Sequence, residues 1–556
     1  MAVESISNSI SPQNATKIFT EMTTHCDFYN IFVALKYADL IPQSTWADLT
    51  DFNAFLCESR ISNIAQESLQ AILEGSINQF KRNTIGQFTT PETLAKILVR
   101  AGISDLTLPA IDPCCGTGTI AKLILDEKER TIGIEKAFET TYASDKYSFP
   151  LQISNISMTN VRAKNLPSLL FQSNAFDLKI GNTIRIHNPV DGRIEAFLLP
   201  AWGSVVSNLP FVAFDQKGRE ESDNIKDTIK QVARETPIRI SGKIDLYQAL
   251  LLKLWNTMSD NASVAVITSN SWLGTSSGAD FFRALNYYYA IESVIASGKG
   301  KWFSNSDVIA VMLFLTKKKD IAPPDTSAEV HFGLIKKSIN ELNDEEVLEI
   351  ADYIKLKQSM NNGLLSLRCL SKGTIDDLLK KNVIMNSLFY DVTWLLEIGQ
   401  CLRPITDCFK VFRGIKTGQD EIYYLKNPSV VDAPYVERIL LNARNVDSLL
   451  AEPDTDAFSC DKTLEELAAL GHTKTINYIR NYQGSIHQSV PNKDTFWMNM
   501  RNGSFAGSYE IRLFTAMNPE KRFFYGLPES VKLVRQKNLK RRCDKEYSDF
   551  RKSPNG

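Results

Sequence analysis

Ala110-Ile111-Asp112-Pro113-Cys114-Cys115-Gly116-Thr117-Gly118-Thr119-Ile120-Ala121 is the stretch that decides the fold. The apolar run at 106–111 reads as a strand and 120–125 as the start of a helix, so both glycines fall in a strand-to-helix turn. Such a turn lets a ligand approach the backbone closely at the positive end of the helix. The spacing also satisfies G-x-G-x-x-A, so a dinucleotide site is the competing reading. The glycines alone do not separate the two.

Downstream of this turn, strand and helix signals alternate. Candidate strands lie at 106–112, 140–145, 176–181, 204–207, 263–268, 291–297 and 309–316. Seven strands with intervening helices predict an α/β fold: a mostly parallel, doubly wound sheet with its sites at the strand carboxyl ends. Residues 15–80 carry apolar positions at helical spacing, among them Ile18, Phe28, Ile31, Phe32, Leu35, Ile64, Leu69, Ile72 and Leu73. The organisation expected is an N-terminal helical segment at 1–80, a catalytic domain at 81–325, a connecting region at 326–400 and a further domain at 401–556.

A second block, Ser207-Asn208-Leu209-Pro210-Phe211, follows the apolar run Trp202-Gly203-Ser204-Val205-Val206. An Asn at the end of a buried strand, then an aromatic, suits a planar ring that bears an amino group. The Asn carbonyl and a neighbouring backbone carbonyl can accept both hydrogens of an exocyclic NH2, and the aromatic can stack on the ring for roughly 1–3 kcal/mol. Together with Asp112-Pro113 before the glycines, this block moves the reading of the turn from a dinucleotide to S-adenosylmethionine. A third block, Gly86-Gln87-Phe88-Thr89-Thr90-Pro91, reads as a helix start with Thr90 as cap and Pro91 at the first helical position.

Taken in chain order, Gly86–Pro91, then Asp112–Gly118, then Asn208–Phe211, the three blocks resemble DNA adenine-N6 methyltransferases of the gamma arrangement, a family of bacterial restriction-modification systems. The likeness continues through Ser269-Asn270-Ser271-Trp272-Leu273 and 301–308. The resemblance implies a class I S-adenosylmethionine-dependent methyltransferase fold with a C-terminal target-recognition domain. It also implies double-stranded DNA as substrate and a cognate restriction endonuclease encoded separately. By the same resemblance, Phe88, Thr89 and Pro91 close over the cofactor, Asp112, Gly116 and Gly118 hold its methionine part, and Asn208, Leu209, Pro210 and Phe211 hold the target adenine. The ribose needs an acid after the second strand; Asp145 is preferred to Glu135 because an amphipathic helix follows it. Asn182 is expected on the cofactor's adenine amino group. The family usually has Pro where this chain has Leu209, which keeps the backbone carbonyl but not the fixed φ. N4-cytosine methylation and a catalytically weak DNA-binding subunit are the alternatives.

Composition sets outer bounds. With 556 residues, 43% hydrophobic and 10% aromatic, the chain suits three or four soluble folded units. No signal peptide or membrane-spanning run is read from it, and no Cys/His spacing suggests a metal. Scattered cysteines fit a reduced, cytoplasmic protein. Because 63 basic residues balance 64 acidic ones, DNA contact requires basic residues gathered locally. Candidates are the charged insertion 212–243 and the C-terminal run Lys532, Arg535, Lys537, Lys540, Arg541 and Arg542, read as a helix face. The stretch 409–425 reads as strand, tight turn and strand.

Overall fold

The computed structural model describes residues 89–502, apart from 159, 164, 189–193, 212–218, 243, 304–307, 400, 405–406, 408, 443–445 and 447. Beyond 502 it describes the strands Leu513–Thr515, Tyr525–Gly526, Leu533–Val534 and Lys537–Arg541. The chain divides into two compact units, Met1–Glu397 and Ile398–Gly556. The helical segment expected at 1–80, and Phe88, lie outside the described residues.

The first unit is organised by one ten-stranded sheet. In chain order its strands, with a separate hairpin counted in place, are β1 (Ala110–Asp112), β2 (Thr141–Asp145), β3 (Leu169–Gln172), the hairpin β4 (Thr183–His187) and β5 (Ile194–Leu198), β6 (Trp202–Asn208), β7 (Met258–Ser269), β8 (Tyr289–Ser297), β9 (Ala310–Lys317), β10 (Glu329–Ile335), β11 (Met360–Asn361) and β12 (Leu365–Ser371). The spatial order is β11-β12-β10-β8-β9-β7-β6-β1-β2-β3. From β3 through β7 all pairs are parallel, and β9 inserts antiparallel between β7 and β8.

Alternation along the central strands explains the double winding. Val264 and Val266 of β7 join one apolar cluster with Tyr247, Leu250, Phe281 and Leu285. Ala265 and Ile267 point the other way, into a cluster with Leu94, Leu98, Ile350 and Ile354. Residues i and i+2 of a strand share a face, so helices must cover both sides. The helices Leu246–Leu254 and Ser276–Tyr288 supply the first cover, and Glu92–Gly102 and Asp344–Leu356 the second. Surface ion pairs Lys96–Asp344 and Arg100–Asp352 join the latter two.

Six of the seven expected strands form close to their expected bounds. The third does not: 176–181 is no strand, and Leu169–Gln172 takes the place beside β2. Asn174 accepts from the Phe176 amide and starts a short 3-10 turn at Ala175–Asp177, which ends the strand reading there. The segment 326–400, read as a connection, contributes β10, β11 and β12 to the same sheet, with Val330, Phe332, Ile335, Leu365, Leu367 and Leu370 buried. Within the charged insertion, Arg219–Glu235 is a helix anchored by buried Ile225, Thr228 and Val232.

The second unit holds two four-stranded sheets; one of them, through Leu425, Ile439 and Phe458, packs in a cluster with Ile415, Ile422, Tyr423, Phe496 and Trp497. The expected strand-turn-strand at 409–425 is not a hairpin. Phe409–Arg413 pairs with Lys537–Arg541, whereas Tyr424–Leu425 pairs with Thr455–Phe458 in the other sheet. Lys537–Arg541, expected on a helix face, is therefore a strand. Among the described residues no helix is long and apolar enough to cross a membrane.

Candidate active site

Three polar side chains end three adjacent strands: Asp112 ends β1, Asp145 ends β2 and Asn208 ends β6. Because β1 pairs with β2 on one side and β6 on the other, the three ends fall within about 10 Å, two inter-strand spacings. Each ends a buried strand, so the sheet itself fixes where these side chains emerge.

The glycine turn is fastened to the end of β2. Asp145 accepts from the Gly116 amide at 3.0 Å and from the Tyr147 amide at 2.8 Å, and the Cys115 amide donates to the Ser144 carbonyl at 2.9 Å. Gly116 and Gly118 sit at φ +53° and +92°, a region that side chains rarely adopt. A Cβ on Gly118 would lie 2.5 Å from Ser154 Oγ, so the helix Ser148–Met158 can approach only a glycine there. Gly118 then begins the helix Thr119–Ile132.

Asp112 is 1% exposed. Its Oδ1 accepts from Ser207 Oγ at 2.6 Å and from the Cys114 amide at 3.2 Å, while Oδ2 has no partner among the described residues. Burial, reinforced by the charge of Asp145, pushes the Asp112 carboxyl up to about 7; burial alone pushes Asp145 up to about 6. Two buried carboxyls with an orphaned acceptor are poorly compensated by protein alone. A cationic ligand would restore their charge. The ammonium and sulfonium of S-adenosylmethionine fit that requirement at Asp112, the open space over Gly116 permits close approach, and Asp145 stands at the strand end where a ribose would be held.

Asn208 donates through Nδ2 to Thr90 Oγ1 at 3.0 Å, which joins the Thr-Thr-Pro block to the Asn-Leu-Pro-Phe block. Thr90 was expected as a helix cap; instead Pro91 occupies the cap position, Glu92 opens the helix, and no side chain caps it. The Thr90 hydroxyl, one residue before the cap position, instead accepts from the Asn208 amide. Thr89 is exposed at the same segment. The Leu209 amide donates to the Ile267 carbonyl at 3.1 Å, tying the turn to β7. Phe211 is 8% exposed and meets Phe303 edge to face at 5.8 Å, with Pro210 half-buried between Leu209 and Phe211.

Asn182 is not brought to these strand ends. It is exposed at the foot of the β4–β5 hairpin, where its carbonyl accepts from the Leu199 amide. The Asn that follows β3 is Asn174, whose Nδ2 donates to Glu220 at 2.5 Å. Glu220 and Glu221 both pair with Lys146, at 2.8 and 2.9 Å, so the opening turn of Arg219–Glu235 reaches the ends of β2 and β3. Sequence reading assigned no role to Asn174, Lys146 or Ser207; the Ser-Asn-Ala-Phe-Asp stretch at 173–177 was the available signal for the first. Glu135 is exposed in the first turn of the helix Ile134–Thr140, which precedes β2 and so does not follow its carboxyl end. Burial pushes the Cys114 and Cys115 thiols well above their ordinary value, which suits packing rather than nucleophilic attack.

A family model described as N-6 DNA Methylase matches residues 65–377. The Type II methyltransferase M.BanIII of Aneurinibacillus aneurinilyticus is 22% identical over 367 residues, covering 62% of this chain and 58% of that protein. The chain therefore spans less than two thirds of this relative's length. Among solved structures, the Type IIL restriction-modification enzyme MmeI in complex with DNA has a TM-score of 0.56 at 13% identity, over 91% of this chain and 69% of that one. The type IIG restriction endonuclease BpuSI has a TM-score of 0.45 at 12% identity, over 91% of this chain and 58% of that one. The fold is that of class I S-adenosylmethionine-dependent methyltransferases, with three strands, β10, β11 and β12, added beyond β8. The matched span holds the glycine turn, both strand-end aspartates and the Asn-Leu-Pro-Phe turn, and the chain belongs to the N-6 DNA methylase family.

Proposed function

We propose that this chain methylates N6 of an adenine flipped out of double-stranded DNA, using S-adenosylmethionine. In the same reading it protects host DNA from a cognate restriction endonuclease encoded separately. The observation that carries the proposal is Asn208: it ends the strand beside the glycine turn, with its amide nitrogen engaged by Thr90.

S-adenosylmethionine supplies an activated methyl carbon on a sulfonium. The chain's task is then mainly proximity and orientation. Asp112 offers a negative charge to the ammonium, Asp145 accepts from ribose hydroxyls, and the Gly116–Gly118 turn lets the ligand lie against the backbone. Thr90 commits the donor end of the Asn208 amide, so its carbonyl is the end that receives the adenine amino group. The Leu209 carbonyl accepts the second amino hydrogen, which favours a tetrahedral nitrogen with its lone pair on the methyl carbon. Flipping costs about a few kcal/mol, offset in part by stacking on Phe211. Thr89, Pro91 and Phe88 close over the cofactor, and Asn174 takes the role first given to Asn182, at the end of β3. The unit 398–556 serves as the target-recognition domain. The relative MmeI was solved with DNA, which supports a DNA substrate here.

Asn208→Ala tests the assignment. Methyl transfer is expected to vanish while S-adenosylmethionine affinity stays within a few-fold of the parent. Equal loss of binding and transfer would make Asn208 a structural residue and remove the basis of the proposal.

A further inference from the structure

We propose that Glu329, His331 and Cys369 form a binding site for a divalent transition-metal cation of the zinc class. The site is independent of the methyl-transfer reading. β10 and β12 run antiparallel with His331 directly opposite Cys369, and Glu329, two residues before His331, shares its face. One ligand atom from each of the three lies within 4.8 Å of the others.

The second observation concerns His331. It is 5% exposed, yet its Nδ1 has no hydrogen-bond partner among the described residues. Buried imidazole nitrogens are ordinarily paired, and an orphaned one needs a reason. The adjoining strand supplies a further orphan: Ser293 of β8 is the register partner of His331, and its buried hydroxyl also lacks a partner among the described residues. Two polar groups without partners among the described residues, side by side and next to a thiol and a carboxylate, outline a polar site within the sheet.

The donor set selects the ion. Thiolate sulfur, imidazole nitrogen and carboxylate oxygen are ligands of zinc and of the metals that share its preferences, whereas magnesium and calcium take oxygen. Binding forms a metal–sulfur bond as the Cys369 thiol releases its proton to solvent. Three protein ligands leave the fourth tetrahedral position to a water molecule, which the Ser293 hydroxyl is placed to hydrogen-bond. β10 runs parallel to β8, so Glu329 lies at its amino end, whereas Asp112, Asp145 and Asn208 lie at carboxyl ends. The metal therefore braces the added strands and takes no part in methyl transfer. No local spacing reveals it, since the ligands meet only when β10 pairs with β12.

The test uses the full chain, stripped with a chelator and titrated with Co2+ while absorbance is followed. The expected result is saturation at one equivalent with thiolate-to-cobalt charge-transfer absorption that Zn2+ displaces. That absorption should be absent in Cys369→Ser. Glu329→Gln, at an exposed position that leaves the fold intact, should weaken Co2+ by tenfold or more, since even outer partners of a ligand are worth about 10–100-fold. Absence of the charge-transfer absorption in the parent, its survival in Cys369→Ser, or unchanged affinity in Glu329→Gln would each overturn the site.

Discussion

Asp112→Asn separates the electrostatic cost of the site from its packing. The fold holds this carboxyl at about 7 against an ordinary 3.8, because burial and the Asp145 charge disfavour ionisation. The folded state therefore binds more protons than the unfolded chain between about pH 4 and 7, and stability falls as pH rises through that window and levels off above it. At roughly 1.4 kcal/mol per pH unit, the full cost of ionised Asp112 is on the order of 4 kcal/mol, of which about 2–3 kcal/mol accrues between pH 5 and pH 8. The Asn variant keeps the Ser207 and Cys114 donors on its oxygen but buries an amide nitrogen at the orphaned position. That penalty is independent of pH and cancels in a difference. Urea unfolding of the ligand-free parent and variant at pH 5 and pH 8 should show the variant gaining about 2–3 kcal/mol relative to the parent at the higher pH. Its affinity for S-adenosylmethionine should fall sharply at both. A relative stability that is constant with pH, or that shrinks, would refute the argument.

Two further substitutions probe the turn and the stacking residue. Gly118→Ala places a methyl group 2.5 Å from Ser154 Oγ at φ +92°, so a loss of about 1–3 kcal/mol in stability and of cofactor binding is expected, read by thermal unfolding and calorimetry; parent-like values in both would show the turn to be adaptable. Phe211→Ala should lose most methyl transfer and Phe211→Trp should keep part of it in single-turnover assays. An unaffected Ala variant would assign Phe211 to packing against Phe303 alone.

The parts legible from the chain are those where local pattern and tertiary structure agree. β6 is a run of apolar and small residues that ends in Asn208, and β1 and β2 end in aspartates followed by turns, so strand bounds and exit points coincide. The third strand was misplaced because Leu169–Gln172 offers only three consecutive apolar residues after Pro167 and Ser168, while Phe176, Leu178 and Ile180 alternate with polar residues as in a half-buried strand. That shift placed the residue expected after the third strand at Asn182, whereas Asn174 is the Asn that follows Leu169–Gln172. Residues 328–400 read as a strand followed by a helical connection; that three strands of this region extend the main sheet was not legible, because β10 and β12 are joined by pairing across the chain, not by a local signal. Thr90 illustrates the same limit: a good cap by type, it serves Asn208 because the fold brings them together. The Glu220–Lys146–Glu221 pairing was equally invisible, since it joins an exposed helix to a strand end far away in sequence.

The most direct test of the central claim is incubation of the purified protein with S-adenosylmethionine and unmethylated genomic DNA, followed by nucleoside digestion and mass spectrometry. The account predicts N6-methyldeoxyadenosine that disappears in Asn208→Ala. N4-methyldeoxycytidine in its place would contradict the assigned base, and no methylated nucleoside would contradict the assigned reaction.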